Sequence, residues 1–305
     1  IIYNVLAANL RAIGDAYTPL IFLIISAVLN VALDILCVKY MDMGVRGAAV
    51  ATIVSQAVSA VLCFGYTWKK YAFLHFNIKD FVPEREFVKP MLEGGLSMGL
   101  MNSLVSFGTL SLQTAINTLG TNTIVAHAAT RKLTNLYMLP FSVLGTTMAT
   151  YSGQNYGAGR YDRIRAGLKV SLGCSYIWCV IVLVASYTVC PYLIVAITDT
   201  NIREVIDTAC LYQRFDTCFY LLVPTITILR NSLQGMGDHI TPIFSSGLEL
   251  VGKVLIAMLL TPVIGYWGII VSEPIVWAVM VIPLIVSMVK RMKRAFVNEK
   301  IRNEK

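Results

Sequence analysis

Asn30 and Asp34 stand four residues apart inside an uninterrupted apolar run, so a helix there carries an amide and a carboxylate on one face. Ionisable groups in such runs are costly to hold in hydrocarbon and mark function or interhelical pairing. Thr52, across a short loop in the next apolar run, adds a hydroxyl that can face the same pocket. Carboxylate, amide and hydroxyl supply oxygen ligands, the donors that hold a proton or a small hard cation such as Na+. No other metal site is expected. The bland alternative is that Asp34 is a hydrated residue near the outer interface.

A second group of polar residues lies in the later apolar runs. Glu249 and Lys253 have the spacing and order of a local ion pair, which lowers the cost of both. Arg214 and Asp216 are two apart, face different ways and each need another partner. Glu273 precedes Pro274, a pairing that suits a kinked helix beside a gated cavity. Asn102, Gln113, Asn117, Asn135 and Gln213 either line the cavity of this half or bond between helices. Arg131 and Lys132 lie about ten residues into a run, and the sequence does not say which way they point.

The elements that hold these residues are transmembrane helices. Of the 305 residues 56% are hydrophobic and only 14% charged, and mean hydropathy is +0.68. That balance excludes a soluble domain. Continuous rather than alternating runs exclude a barrel. A partial span ends near Leu10. Full spans are expected at about 18–39, 46–68, 92–119, 122–150, 166–197, 205–235, 240–264 and 266–289. The fold class is therefore all-α integral membrane, here with eight full spans plus part of one. Segment 69–91 mixes charges with aromatics and reads as an interfacial amphipathic linker. It separates 1–68 from a six-helix unit at 92–290, with a basic tail at 291–305.

The net charge of +8 arises from residues at the ends of these runs, without a basic patch of interleaved aromatics, so no nucleic-acid partner is expected. One set of loops, the linker and the tail hold eighteen basic residues, counting Arg230 among them; the opposite loops hold Lys39, Arg46 and Arg203. The positive-inside rule then makes linker and tail cytoplasmic. No paired catalytic carboxylates, GxSxG or HExxH occur, so the chain is not expected to be an enzyme, and no cofactor is expected. Gly153-Gln154-Asn155-Tyr156-Gly157-Ala158-Gly159 lacks the P-loop lysine and reads as a flexible helix exit. The seven cysteines lie mostly in apolar runs and read as small buried hydrophobes.

The chain also repeats itself. Gly14-Asp15-Ala16-Tyr17-Thr18-Pro19 returns as Gly237-Asp238-His239-Ile240-Thr241-Pro242, and Gly44-Val45-Arg46-Gly47 as Gly265-Tyr266-Trp267-Gly268. Copies six spans apart share an orientation, so the repeat is parallel, and three further spans are expected before Ile1.

These Gly-Asp-x-x-Thr-Pro turns, Asn30-x-x-x-Asp34, Gly44-x-x-Gly47-Ala48-Ala49-x-Ala51-Thr52 and the Gly153–Gly159 stretch resemble the multidrug and toxic compound extrusion (MATE) transporters, within a larger group that includes lipid-linked oligosaccharide flippases. The resemblance implies a two-lobe bundle of twelve helices around a central cavity. Residues 1–68 would be the second half of the N-lobe and 92–290 the C-lobe. It implies secondary active efflux of small, cationic organic compounds by H+ or Na+ antiport, with a flippase of the same fold as the alternative. A monomer in the plasma membrane is implied, multi-pass and with its C-terminus cytoplasmic. The cation site would draw on Asn4, Asn30, Asp34 and Thr52, with a partner aspartate on a helix before Ile1. The substrate cavity would draw on Asn102, Gln113, Asn135, Gln213, Asp216, Glu249, Lys253 and Glu273. The glutamate and aspartate that some members carry in the C-lobe have no match here, because 92–119 holds no carboxylate past Glu93.

Overall fold

The computed structural model describes residues 1–75 and 84–303, with side chains to Arg294. Among the described residues the regular structure is all helical. The chain forms two compact units, Ile1–Glu84 and Arg85–Lys305.

The first unit contains α1 (Ile2–Ala12), α2 (Tyr17–Asp34) running into a π-helical segment (Ile35–Tyr40), α3 (Gly44–Lys70) and a 3-10 turn at Ala72–Leu74. In α3 every fourth residue from Gly47 to Thr67 is small and buried (Gly47, Ala51, Ser55, Ser59, Cys63, Thr67). Small residues in such a stripe let backbones approach, which is how helices associate without a hydrophobic force between them. α2 buries only Pro19 and Ser26, and Ser26 donates to the Ser55 carbonyl at 2.8 Å, tying α2 to α3. The π segment takes up an i→i+5 bond, from Met41 N to Leu36 O at 3.0 Å. Gly47 packs on it so closely that a Cβ would lie 3.0 Å from Cys37.

The second unit holds α4 (Arg85–Ile116), α5 (Thr121–Gly157), α6 (Tyr161–Thr188), α7 (Cys190–Thr198), α8 (Arg203–Thr217), α9 (Leu222–Gly235), α10 (Ile240–Leu259), α11 (Thr261–Ile264) and α12 (Tyr266–Asn303). α5 and α9 touch backbone to backbone: a Cβ on Gly235 would lie 2.1 Å from the Ala149 carbonyl oxygen, and one on Gly153 would lie 3.0 Å from that of Gly235. Phe141, Met148, Ile164, Tyr220, Leu233 and Leu284 fill the core between α5, α6, α9 and α12.

Several expected elements differ. The run at 166–197 is cut at Val189, where Pro191 starts a new helix. The run at 205–235 is two helices separated by a turn at 218–221, where all residues are apolar or weakly polar and give no warning. α4 begins at Arg85, inside the expected linker, and α12 stays helical through Asn303, past the expected start of the tail at 291. Linker residues 76–83, and the tail's side chains from residue 295, lie outside the described residues. The glycine-rich stretch is no loose exit, because α5 continues through Gly157. Cys174 and Cys218 are exposed, while the other five cysteines are buried. Among the described residues five helices are long and apolar enough to cross a membrane unaided. α4 and α5 are longer still, but polar residues such as Asn102 and Gln113 in α4 and His127 and Asn135 in α5 lower their hydropathy.

The repeated turn has one geometry in both units. Gly14 and Gly237 adopt φ of +95° and +77°, which other residues rarely take. The next amide bonds back to the helix before it, Asp15 N to Leu10 O at 2.9 Å and Asp238 N to Leu233 O at 2.8 Å. Each aspartate then caps the following helix. Oδ1 accepts from the Thr18 or Thr241 amide at 3.1 Å, and Oδ2 accepts from the same threonine's hydroxyl. Oδ2 also holds a later helix. Asp15 accepts from Tyr66 (3.0 Å) and Tyr71 (2.9 Å), with Lys70 Nζ at 3.9 Å. Asp238 accepts from Ser287 (2.9 Å) and Arg291 (3.2 Å). Tyr66 and Ser287, like Lys70 and Arg291, stand 221 positions apart, the same offset as Gly44 and Gly265.

Candidate cation and substrate sites

In the first unit the structure keeps Asn30 and Asp34 together. Both side chains are partly buried on α2. Asn30 Nδ2 and Asp34 Oδ1 are inaccessible and have no hydrogen-bond partner among the described residues. A buried polar atom left unpaired costs about 1–3 kcal/mol. Asp34 is also the last α-helical residue before the π segment. Thr52 and Asn4 behave differently. Thr52 is exposed and donates to its own helix, to the Ala48 carbonyl at 2.9 Å, and Asn4 is exposed on α1.

In the second unit a chain of alternating charges crosses four helices. Arg230 of α9 lies 3.6 Å from Glu249 of α10, whose other oxygen accepts from Lys253 at 2.9 Å. Lys253 lies 3.9 Å from Glu273 of α12, and Glu273 accepts from Arg131 of α5 at 2.8 Å. The remaining oxygen of Glu273 accepts from Tyr212 at 3.2 Å. His127 continues the network, its Nδ1 lying 3.2 Å from the Tyr266 hydroxyl and its ring set edge-on to Tyr212. Asp216, fully buried at the end of α8, shares these surroundings with Glu273, Arg131, Tyr220 and Lys253. Neither of its oxygens has a hydrogen-bond partner among the described residues.

The charges line a cavity of about 210 Å³ bounded by α4, α5, α9, α10 and α12, with Asn135 and Trp277 on its wall. A larger concavity of about 670 Å³ between α4, α10 and α11 has apolar walls and no charged lining residue. The chemistry therefore belongs to the smaller one. Each charge there lies within 4 Å of an opposite one, and Glu249, Lys253 and Glu273 are buried, so a charged group placed there would exchange partners with the network.

Of the residues singled out from sequence, Asn135, Glu249, Lys253 and Glu273 come together at this cavity, with Asp216 beside it. Gln213 is buried in interhelical bonds, accepting from Thr134 at 3.3 Å and donating to Tyr220 at 3.2 Å. Gln113 of α4 donates at 3.0 Å to Asn117, in the turn that follows α4, and Asn102 is exposed; neither lines the cavity. Arg214 donates to the Ser186 carbonyl and stands over Tyr187. Arg131 turns inward while Lys132 faces out. Arg230, counted as a loop residue from sequence, is in the network, as are Tyr212 and His127, which sequence reasoning missed. The sole signal for Arg230 was its place five residues inside an apolar run.

Helices of this kind, with matched charges inside apolar runs and a duplicated turn, define a multi-pass helical membrane-protein fold. The chain belongs to the MatE family, whose model matches residues 98–263. It is 31% identical over 162 residues to "Probable multidrug resistance protein YpnP" of Bacillus subtilis, covering 53% of this chain and 36% of that one. To "Probable multidrug resistance protein YoeA" of the same organism it is 24% identical over 291 residues, covering 91% and 62%. Among solved structures it is similar to a MATE crystal structure in the bent conformation, with a TM-score of 0.87, 19% identity, and coverage of 97% and 66%. It is also similar to a MOP superfamily transporter from Pyrococcus furiosus, with a TM-score of 0.86, 22% identity, and coverage of 96% and 66%. The chain thus spans between a third and two thirds of the length of these relatives.

Proposed function

We propose that the chain serves secondary active export of amphipathic, cationic organic compounds, driven by H+ or Na+ entering at Asp34 and Asn30. The observation that supports this most is the pair of buried, unpartnered atoms, Asp34 Oδ1 and Asn30 Nδ2, on a helix that otherwise faces outward. A proton or a cation relieves the cost of burying that carboxylate. The two compete for it, and the ion biases alternating access by its differential affinity for the two states. Thr52 and Asn4 belong to the proposed site as further ligands. The cavity holding Glu249 and Glu273, with Asp216 beside it, offers carboxylates to a cationic substrate. On the charge bias of the loops, α12 ends in the cytoplasm, and the protein is a plasma-membrane monomer.

A flippase for a lipid-linked sugar is the second reading, favoured by three basic groups at the cavity, Arg131, Arg230 and Lys253. Each lies within 4 Å of Glu249 or Glu273, which leaves little positive field for an anionic headgroup. The test is dye export from proteoliposomes under an imposed proton or sodium gradient. Asp34→Asn keeps the shape and removes the carboxylate, so gradient-driven export should fail while membrane insertion survives. Export at the wild-type rate would make Asp34 a hydrated interfacial residue and sink the reading.

A further inference from the structure

A concavity unconnected with the charge network lies where α12 leaves its apolar run. Tyr156 of α5, Tyr161 of α6, Asp238 of the repeated turn, and Ser287, Lys290, Arg291 and Arg294 of α12 enclose about 420 Å³. We propose that this pocket binds the phosphate of an anionic phospholipid headgroup.

Charge balance is the first argument. Asp238 is the one carboxylate among the described residues that line the pocket, and it is fully engaged by the Thr241 amide and hydroxyl, Ser287 and Arg291. Arg291 is committed in part, through Nε to Asp238 and through Nη1 to the Met236 carbonyl at 3.4 Å. Lys290 and Arg294 are exposed and have no ion pair or hydrogen bond among the described residues. Among the described residues two cations remain uncompensated in a concave site.

Geometry is the second. Ser287, Lys290, Arg291 and Arg294 are three or four apart and so share one face of α12. An arginine fork and a lysine point charge on one face form a donor set for phosphate oxygens, in a pocket that Tyr156 and Tyr161 also line. The Tyr156 and Tyr161 rings meet edge to face at 5.7 Å and form the opposite wall.

Depth is the third. The apolar run of α12 gives out at Val289, and the basic residues begin at Lys290. That level is where a bilayer places its headgroups, and tyrosines concentrate there too. Basic pockets between helices at this level are recognition sites for anionic lipid.

Binding is measured by native mass spectrometry on the detergent-solubilised protein with phosphatidylglycerol or phosphatidylcholine. Phosphatidylglycerol should bind in preference. Lys290→Gln with Arg294→Gln should weaken it by about twenty-five-fold, at roughly a factor of five for each charge removed. Phosphatidylcholine binding should not change. Lys169→Gln with Lys293→Gln removes the same charge from outside the pocket and should leave both lipids unaffected; an equal loss there would show diffuse surface attraction and overturn the site. Equal binding of the two lipids by the unmodified protein would overturn it as well. Millimolar inorganic phosphate should not displace the lipid, and displacement would assign the pocket to a soluble anion instead. If the glutamine pair lowers the melting temperature, salt titration of the unmodified protein decides, since molar salt should release a headgroup held by exposed charges.

Discussion

Arg131 and Glu273 are 142 positions apart in the chain, yet the guanidinium donates to the carboxylate at 2.8 Å between α5 and α12. Glu273 is buried and Arg131 partly so, and the pair closes the α5 end of the charge chain.

Breaking that pair from one side should be costly. Arg131→Met leaves Glu273 to share Lys253 with Glu249, and loss of a buried partner costs about 3–5 kcal/mol. Arg131→Met with Glu273→Gln should cost less than the sum of the single changes, because neither charge is stranded. Thermal unfolding of the four variants measures the coupling. Simple additivity would mean that the contact carries no energy.

Acid should loosen the first unit through Asp15. Burial pushes its carboxyl up, but the Thr18 amide and hydroxyl and the Tyr71 and Tyr66 hydroxyls outweigh that and hold it at about 2. A folded value below the ordinary one of about 4 means that the stabilisation is present above pH 4 and is lost as pH falls toward 2. Melting temperature should therefore drop more between pH 5 and pH 2 in the unmodified protein than in Asp15→Asn; parallel curves would exclude the effect.

Gly235 tolerates no methyl group. Gly235→Ala drives a Cβ to 2.1 Å from the Ala149 carbonyl, and overpacking of this sort costs at least about 1–3 kcal/mol. Gly173, inside α6 with nothing within 4 Å of a built Cβ, is the contrast. There alanine should gain about 0.5–1 kcal/mol from helix propensity. Melting of the two variants in one detergent decides, and shifts of the same sign would contradict the packing.

Orientation is open to labelling on a cysteine-free background. Cysteines placed by Asp80→Cys and Lys300→Cys should react from the cytoplasmic face, and one placed by Asn201→Cys from the outside. Opposite faces for residues 80 and 300 would break the expected alternation of spans.

Local relationships were readable from sequence, and distant ones were not. The Asn30–Asp34 and Glu249–Lys253 pairs are one helical turn long, and the Gly-Asp turns repeat within six residues, so spacing alone exposed them. Arg230 was misread because its partner Glu249 lies on another helix, and no period links residues across a turn. Gln213 was credited with lining a cavity, yet its amide is spent on Thr134 and Tyr220, contacts that depend on α5 and the 218–221 turn. That turn itself sits in an apolar stretch, where hydropathy cannot distinguish a continuous helix from two half-helices.

The twin turns also make the protein its own control for ionic strength. Backbone, glycine and threonine are the same in both, but what grips the aspartate is not: tyrosine hydroxyls crowd Asp15, with a lysine at 3.9 Å, whereas Asp238 holds an arginine directly at 3.2 Å. Dissolved salt weakens charge pairs at partly open sites and leaves neutral hydroxyl donors largely untouched. Raising salt should thus slacken the Asp238 clasp ahead of the Asp15 one, although a reader of the motif would call them identical.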